Sequence, residues 1–253
     1  MITLASDFGS PYPAAMRGVL ACKTNTRLHD VAHDLPRQDV RGSAFWLRFV
    51  LPEFPPAVHL AVVDPGVGTD RDAVVVVAGD HVLVGPDNGL LLPAARALAN
   101  DQESVRAHAA RVTDPVSETF HGRDVFAPLT AAVHEDGVVA LRESGRLAPT
   151  DPVDLRLPDA TRDNGAWHGQ VLVVDDFGNT VTNVPGAAID GVDRAWVNGM
   201  STPTVRTFAE VSPGERLVTV GSHGYVECDV NRGRGDEAFG VAAGDTVVLH
   251  PGR

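Results

Sequence analysis

The chain has 253 residues, of which 43% are hydrophobic, and it carries a formal net charge of −12 at pH 7. This length accommodates one large domain or two modest ones, and the composition is that of an ordinary globular protein with a sizeable core. The acidic balance argues against a nucleic-acid-binding surface, because such surfaces need clustered lysines and arginines.

The sequence also gives expectations about the compartment. No apolar run approaches the ~20 residues that a membrane span needs, and no signal-peptide pattern is present at the N-terminus. The two cysteines, Cys22 and Cys228, lie far apart and lack the spacing of a zinc site. We therefore expect a cytoplasmic protein without membrane partners, in which each cysteine is a small core residue.

Residues 1–150 alternate between short apolar runs and patterns of helical period, which is typical of an α/β domain. The continuous apolar run 58–63 predicts a strand of a parallel sheet covered on both faces. Gly79-Asp80 predicts a hairpin between two of the strands. The predicted strands are 2–5, 28–31, 58–63, 73–78, 82–84 and 104–109. The predicted helices are 14–22, 40–50, 90–99 and 125–134, with Gly137 ending the last one.

The composition shifts after residue 150. Residues 151–163 are rich in proline and aspartate without periodicity, and we interpret them as a linker. Residues 164–253 contain short strand-like runs separated by turn residues, which predicts a smaller all-β, barrel-like domain. The predicted strands there are 169–174, 180–184, 194–197, 204–207, 217–220, 225–230 and 246–249.

Several polar residues follow predicted strands in the first domain. Asp7-Phe8 follows the first strand, where ligands bind in open α/β sheets, although on its own Asp7 is better explained as the cap of the next helix or as part of a turn. Asp64 ends the apolar run 58–63, and Arg71 follows after a tight glycine-rich loop. Their side chains can converge, either as a structural salt bridge or as part of a site. His121 lies just before a predicted helix, near Thr119 and Phe120, and on its own is more often structural.

Two polar segments follow strands in the second domain. The first contains Asp175, Phe177 and Asn179; the second begins at Ser222. An asparagine amide can pair with the edge of a purine, and a phenylalanine can pack against its ring. A hairpin turn is the simpler explanation of Asp175–Asn179.

Together these segments resemble the S-adenosylmethionine hydroxide adenosyltransferase family, which is related to the fluorinases and chlorinases. The resemblance runs through residues 2–9, 16–19, 58–71, 84–90, 119–128, 175–183 and 222–231, in the family's order. It implies a three-layer, Rossmann-like α/β domain followed by a β-barrel domain. It also implies a homotrimer with active sites at the subunit interfaces.

The same resemblance implies roles for individual residues. The catalytic positions are Asp64, Arg71 and His121. The substrate-binding positions are Asp7, Phe8, Thr119, Phe120, Asp175, Phe177, Asn179, Ser222, Glu227 and Val230. The substrate is S-adenosyl-L-methionine, which is hydrolysed to adenosine and L-methionine, and neither a metal nor a cofactor is expected.

Two alternatives remain open from the sequence. The first is halide-dependent adenosyl transfer; the related halogenases carry a tyrosine at the position of Asp64, and a carboxylate repels a halide in a desolvated pocket. The second is a module that binds adenosine or S-adenosylmethionine without catalysis. In that case Asp64, Arg71 and His121 would have only structural roles.

Overall fold

The computed structural model describes residues 1–9, 11–99, 105–110, 117 and 119–252. The chain divides into two compact units, Met1–Arg156 and Leu157–Arg253. The division lies inside the range 151–163 that the sequence analysis assigns to a linker. Among the described residues, no helix combines the length and apolar character that crossing a membrane requires.

The first unit is built on a seven-stranded sheet with the order β2-β1-β3-β5-β4-β6-β7. Strands β2, β1, β3 and β5 are parallel neighbours, whereas β4, β6 and β7 are antiparallel additions at one side. The strands are β1 (Ile2–Ser6), β2 (Leu28–Ala32), β3 (Val58–Val62), β4 (Ala73–Ala78), β5 (His81–Pro86), β6 (Arg106–Ala110) and β7 (Ala148–Pro149). The helices are α1 (Tyr12–Lys23), α2 (Val40–Val50), α3 (Leu92–Leu98) and α4 (Ala127–Glu143).

Two hydrophobic cores lie on opposite faces of this sheet. Val58, Leu60 and Val62 of β3 belong to one core with α1 and α4, whereas Ala61 belongs to the other core with α2 and α3. This alternation follows from the two-residue period of a strand whose two faces are both covered. The predicted three-layer α/β arrangement is therefore confirmed.

Helix α4 differs from its prediction. It follows a π-helical turn, Gly122–Phe126, and extends to Glu143. Gly137 has φ 79° and ψ 157°, so it breaks the helical backbone, but a further helical segment follows it. The prediction that a helix ends at Gly137 is therefore confirmed for the first segment, whereas the second segment after this kink was not predicted.

The other predicted elements of the first unit agree to within a few residues, and α2 has the predicted bounds. Asp39 begins α2 by accepting a hydrogen bond from the Gly42 amide at 2.9 Å. Cys22 is exposed rather than part of a core, since α1 buries positions 13, 16 and 20 on its apolar side. Ser104, the first residue of a predicted strand, lies outside the described residues.

The second unit is an antiparallel, barrel-like sheet with the order β12-β11-β15-β9-β10-β14-β13, and β8 pairs with β9. Its strands are β8 (Thr161–Asp163), β9 (Ala166–Val174), β10 (Thr180–Pro185), β11 (Arg194–Val197), β12 (Met200–Pro203), β13 (Arg216–Val220), β14 (Tyr225–Val230) and β15 (Thr246–Pro251). An isolated bridge between Thr204 and Val218 connects the two ends of the sheet. The expected all-β, barrel-like architecture is confirmed. The described residues of this unit add one short α-helix, α5 (Gly235–Phe239), and two 3-10 helices, Gly186–Ile189 and Phe208–Glu210.

Two strands of this unit were mispredicted. Strand β8 (Thr161–Asp163) lies within the range interpreted as a linker and was not expected, and β12 was misplaced. The structure places β12 at Met200–Pro203, not at 204–207. Asn198 and Gly199 both have positive φ values, 49° and 83°, and connect β11 to β12 as a two-residue hairpin. An Asn-Gly pair is the strongest short hairpin signal, so the sequence did contain the information that places β12.

Candidate functional site

Acidic residues of the first unit gather at one edge of the sheet. Asp7 follows β1, Asp64 follows β3 and Asp87 follows β5. Because β1, β3 and β5 are adjacent and parallel, their carboxyl ends lie at the same edge, which is where open α/β sheets bind ligands.

Asp64 and Arg71 form a buried, bidentate ion pair. Arg71 Nε donates to Asp64 Oδ1 at 2.7 Å, and Arg71 Nη2 donates to Asp64 Oδ2. The Asp64 side chain is 3% exposed and that of Arg71 is 11% exposed. The glycine-rich loop between them does turn back, as its composition predicts, and a parallel pair of charge-assisted bonds fixes both side chains.

His121 and Phe126 contact the same guanidinium. Arg71 Nη2 lies 3.4 Å from His121 Nδ1, and the guanidinium carbon lies 5.2 Å from the centroid of the Phe126 ring. His121 is 3% exposed. Because arginine can only donate, Nδ1 is the accepting nitrogen in this contact, so a neutral His121 carries its proton on Nε2.

The electrostatics of Arg71 follow from its burial. Burial lowers the pKa of Arg71 to about 10, and the nearby Asp87 carboxylate partly opposes this shift. The guanidinium therefore remains charged at neutral pH. A carboxylate, a guanidinium and an imidazole are thus held in contact where little water reaches them, an arrangement suited to orienting and polarising a small nucleophile.

An aromatic cluster lies next to this triad. Phe8, Tyr12 and Phe120 pack edge to face, with ring centroids 5.2 to 6.2 Å apart. Gly122 allows this packing, because a Cβ at that position would lie 3.0 Å from Phe8 and 2.8 Å from Met16. Tyr12 was not expected in the site, although its position close behind Asp7-Phe8 is a signal that could have identified it.

The remaining expected residues of the first unit have simpler environments. One carboxylate oxygen of Asp7 accepts a hydrogen bond from the Gln38 amide at 2.7 Å, and the Asp7 side chain is buried. Thr119 is exposed, and its hydroxyl lies 3.2 Å from that of Ser117. Neither contact brings these side chains to the Asp64–Arg71 pair.

In the second unit, Asp175–Asn179 forms the turn between β9 and β10. The Asp175 carboxylate accepts from the Asn179 backbone amide at 2.8 Å and from Asn179 Nδ2 at 2.9 Å. The simpler interpretation, a hairpin turn, is therefore correct for the backbone. It leaves the amide oxygen of Asn179 as an acceptor.

Three of the expected adenine-binding residues line one cavity of this unit. Phe177, Asn179 and Val230 surround a space of about 580 Å³ together with Phe208 and Arg234. Phe177 is 79% exposed, an unusual position for a large apolar side chain unless something covers it. Phe208 and Arg234 were missed, because their separation from Asn179 in sequence gives no periodic or motif signal.

The expected methionine-side residues form a second group near the same sheet. Glu227 lies 3.5 Å from His223 Nδ1, whereas Ser222 is exposed in the neighbouring turn. Burial raises the pKa of Glu227, and burial together with the Glu227 charge raises the pKa of Asp229. The Asp175 charge also raises the pKa values of Glu227 and Asp229, so these three carboxyl groups are close enough to interact. Asp229 was not expected; its alternation with Glu227 along β14 is the signal that could have identified it.

Comparisons with known proteins agree with the motif order. Residues 2–143 match the model of the SAM hydroxide adenosyltransferase N-terminal domain, and residues 169–248 match that of the C-terminal domain. An (R)-S-adenosyl-L-methionine hydrolase of Salinispora tropica is 41% identical over 99% of this chain and 98% of its own length. One from Thermus thermophilus is 43% identical over 96% and 97%. The structure of an uncharacterized conserved protein from Thermotoga maritima superposes with a TM-score of 0.81 at 30% identity, covering 99% and 100% of the two chains.

Proposed function

Because the chain belongs to the SAM hydroxide adenosyltransferase family, we propose that it hydrolyses S-adenosyl-L-methionine to adenosine and L-methionine. The observation that carries this proposal is the buried Asp64–Arg71 pair with His121 against it. The (R)-S-adenosyl-L-methionine hydrolases to which the chain is similar over nearly its whole length support the same reaction.

The reaction requires no general acid from the protein. A water oxygen attacks ribose C5′, the C5′–sulfur bond breaks, and both electrons of that bond go to sulfur. The sulfonium therefore leaves as the neutral thioether of methionine and needs no proton. Water loses one proton, so the site must orient the water in line with the breaking bond and accept that proton.

The side chains around Arg71 suit this task. Arg71 orients the water and stabilises the hydroxide character that develops on it, and Asp64 accepts a hydrogen bond and the proton from the water. His121 takes that proton instead when its Nδ1 is released from Arg71. Attack of an anionic oxygen on a sulfonium cation disperses charge, so exclusion of water favours the step. The low exposure of Asp64, Arg71 and His121 supports this view.

The remaining expected residues would bind the rest of the substrate. Asn179 and the Val230 backbone would hold adenine, with Phe177 against the ring. Asp7 would bind the ribose hydroxyls. Phe8, Thr119 and Phe120 would line the ribose side, and Asp175, Ser222 and Glu227 would contact the methionine portion. The shared cavity of Phe177, Asn179 and Val230 supports the adenine assignment.

We further propose a homotrimer in which the first unit of one subunit and the second unit of the next complete each active site. The reaction would proceed without a metal or a cofactor, and the protein would act in the cytoplasm. The exposed Phe177 ring supports the assembly, because an adjacent subunit would cover it. Light scattering on the purified protein should give three times the chain mass, and a monomer would contradict the proposal.

The reaction is tested by isotope labelling. In water enriched in ¹⁸O, incubation with S-adenosylmethionine should release adenosine carrying the heavy oxygen at its 5′ position, together with unlabelled methionine. Adding chloride should give no 5′-chloro-5′-deoxyadenosine, since the Asp64 carboxylate repels a halide. A chlorinated product would favour the halide-dependent alternative. Substrate that binds but is not consumed would favour the non-catalytic binding module.

A further inference from the structure

The first unit contains a cavity whose lining includes none of Asp64, Arg71 and His121. It has a volume of about 600 Å³ and lies beside α3, β6, β7 and the last turn of α4. Strands β6 and β7 form the side of the sheet opposite β2. The volume falls in the range of cavities that bind small molecules and exceeds the space that one inorganic ion needs.

The lining of this cavity is basic, although the chain as a whole carries a net charge of −12. It contains four arginines, Arg96, Arg106, Arg142 and Arg156, but only two carboxylates, Asp151 and Asp154. Four positive and two negative groups leave a local charge of about +2 when the histidine is neutral. Such an excess of positive charge around one cavity is unexpected in an acidic protein and needs a physical explanation.

The carboxylate of Asp154 is already shared by two of the arginines. Arg96 pairs with Asp154 and donates to the Leu155 carbonyl at 2.8 Å, and Arg156 donates to Asp154 at 2.8 Å. Within the part of the chain that the structure describes, the guanidinium groups of Arg106 and Arg142 make no ion pair or side-chain hydrogen bond. Their charges are therefore available to a ligand.

His108 lines the same cavity as Arg106 and Arg142. It is 4% exposed, and its Nδ1 is buried without a hydrogen-bond partner among the described residues. Burial lowers the pKa of His108 and the charges of Arg142 and Arg106 lower it further, whereas a hydrogen bond from the imidazole to the Val75 backbone opposes these shifts. Both guanidinium groups thus lie near one imidazole, which is neutral at physiological pH.

We propose that this cavity is a binding site for a small phosphate-bearing molecule, held by Arg106 and Arg142 beside His108. A phosphate group has enough acceptor oxygens for two guanidinium groups, whereas a carboxylate has only two oxygens. The planar guanidinium matches phosphate geometry and pairs with it bidentately. Asp151, in the same cavity, can accept a hydrogen bond from a hydroxyl on the remainder of the molecule.

Inorganic pyrophosphate is a suitable probe, titrated into the full-length protein by calorimetry at low and at physiological salt. We expect one saturable site per chain, with affinity that falls as salt rises. Arg106→Gln and Arg142→Gln should each weaken binding about tenfold or more, because each removes a charge-assisted contact. Arg27→Gln removes the same charge from an exposed position outside the cavity and should leave binding unchanged.

The experiment separates this site from the proposed active site and from a subunit interface. Hydrolysis of S-adenosylmethionine should be the same in both cavity variants as in the unaltered protein. The proposal is overturned if pyrophosphate does not saturate, if all three variants bind it equally, or if the cavity variants lose pyrophosphate binding only together with their subunit assembly in light scattering. Failure of the hydrolase assignment would leave the calorimetric result unaffected.

Discussion

Asp64→Asn protein should lose about 100-fold or more in kcat for S-adenosylmethionine hydrolysis. The amide keeps the size of the carboxylate but cannot take up a proton, and it no longer holds Arg71 through two parallel charged bonds. The substitution also leaves a guanidinium that is 11% exposed without its counter-charge, which should lower the free energy of unfolding by about 3 kcal/mol. Adenosine release and urea unfolding measure the two effects separately.

Asp30→Asn provides the matched control. Asp30 also pairs with an arginine, Arg17, at 2.8 Å, but both side chains are more than a third exposed. Its loss should change stability little and leave turnover unchanged. If Asp64→Asn protein folds normally and retains full turnover, Asp64 has no role in activating water. If it fails to fold, Arg71→Lys and His121→Gln test the same site without removing the carboxylate.

The free energy of unfolding should fall by about 3 kcal/mol between pH 6.5 and pH 4 because of one histidine, His59. His59 is 1% exposed; its Nδ1 lies 2.7 Å from the Thr3 hydroxyl, and its Nε2 lies 2.9 Å from His81 Nδ1. Burial, together with the neighbouring His81 charge, lowers the pKa of His59 from 6.5 to about 4. In this pH range the unfolded chain binds the proton and the folded chain does not. The contribution of the neutral His59 to the free energy of unfolding is therefore fully present above pH 6.5 and is lost on acidification.

Chemical unfolding at several pH values measures this dependence, and His59→Gln isolates it. The variant should be less stable than the unaltered protein at pH 7, but its stability should fall less steeply between pH 6.5 and pH 4. Histidines and salt-bridged carboxylates that do not contact His59 contribute equally to both proteins and cancel in the comparison, and His81→Gln measures the contribution of the one histidine that contacts it. Identical slopes would show that His59 is not held neutral in the folded state.

The sequence predicted elements well where a local pattern determines them. The amphipathic pattern of α2 gave its observed bounds, and the apolar run at β3 identified a central parallel strand. The pattern failed at Cys22, since an apolar residue within a helix is not necessarily on the buried side. It also failed at β12, where the turn residues Asn198 and Gly199 carry more information than the residues of the strand.

The candidate site was predictable only in part, for a similar reason. The short glycine-rich loop indicated that Asp64 and Arg71 can converge, and they do. His121 is fifty residues further along the chain, so its contact with Arg71 depends on how the segment before α4 packs against the sheet. No spacing rule gives that contact; only the resemblance to a family linked the three residues.

The π-helical turn after His121 makes the number of residues in this segment as important to the site as their identity. Its hydrogen bond runs from the Ala127 amide to the Gly122 carbonyl, five residues apart, where an α-helix would join residues four apart. Residues 121 and 126 are also five apart, and both contact Arg71. Deleting one residue from this turn would restore regular α-helix and rotate His121 by about 100° relative to Phe126. A relative could therefore keep every side chain of the site and still lose the contact through a single missing residue.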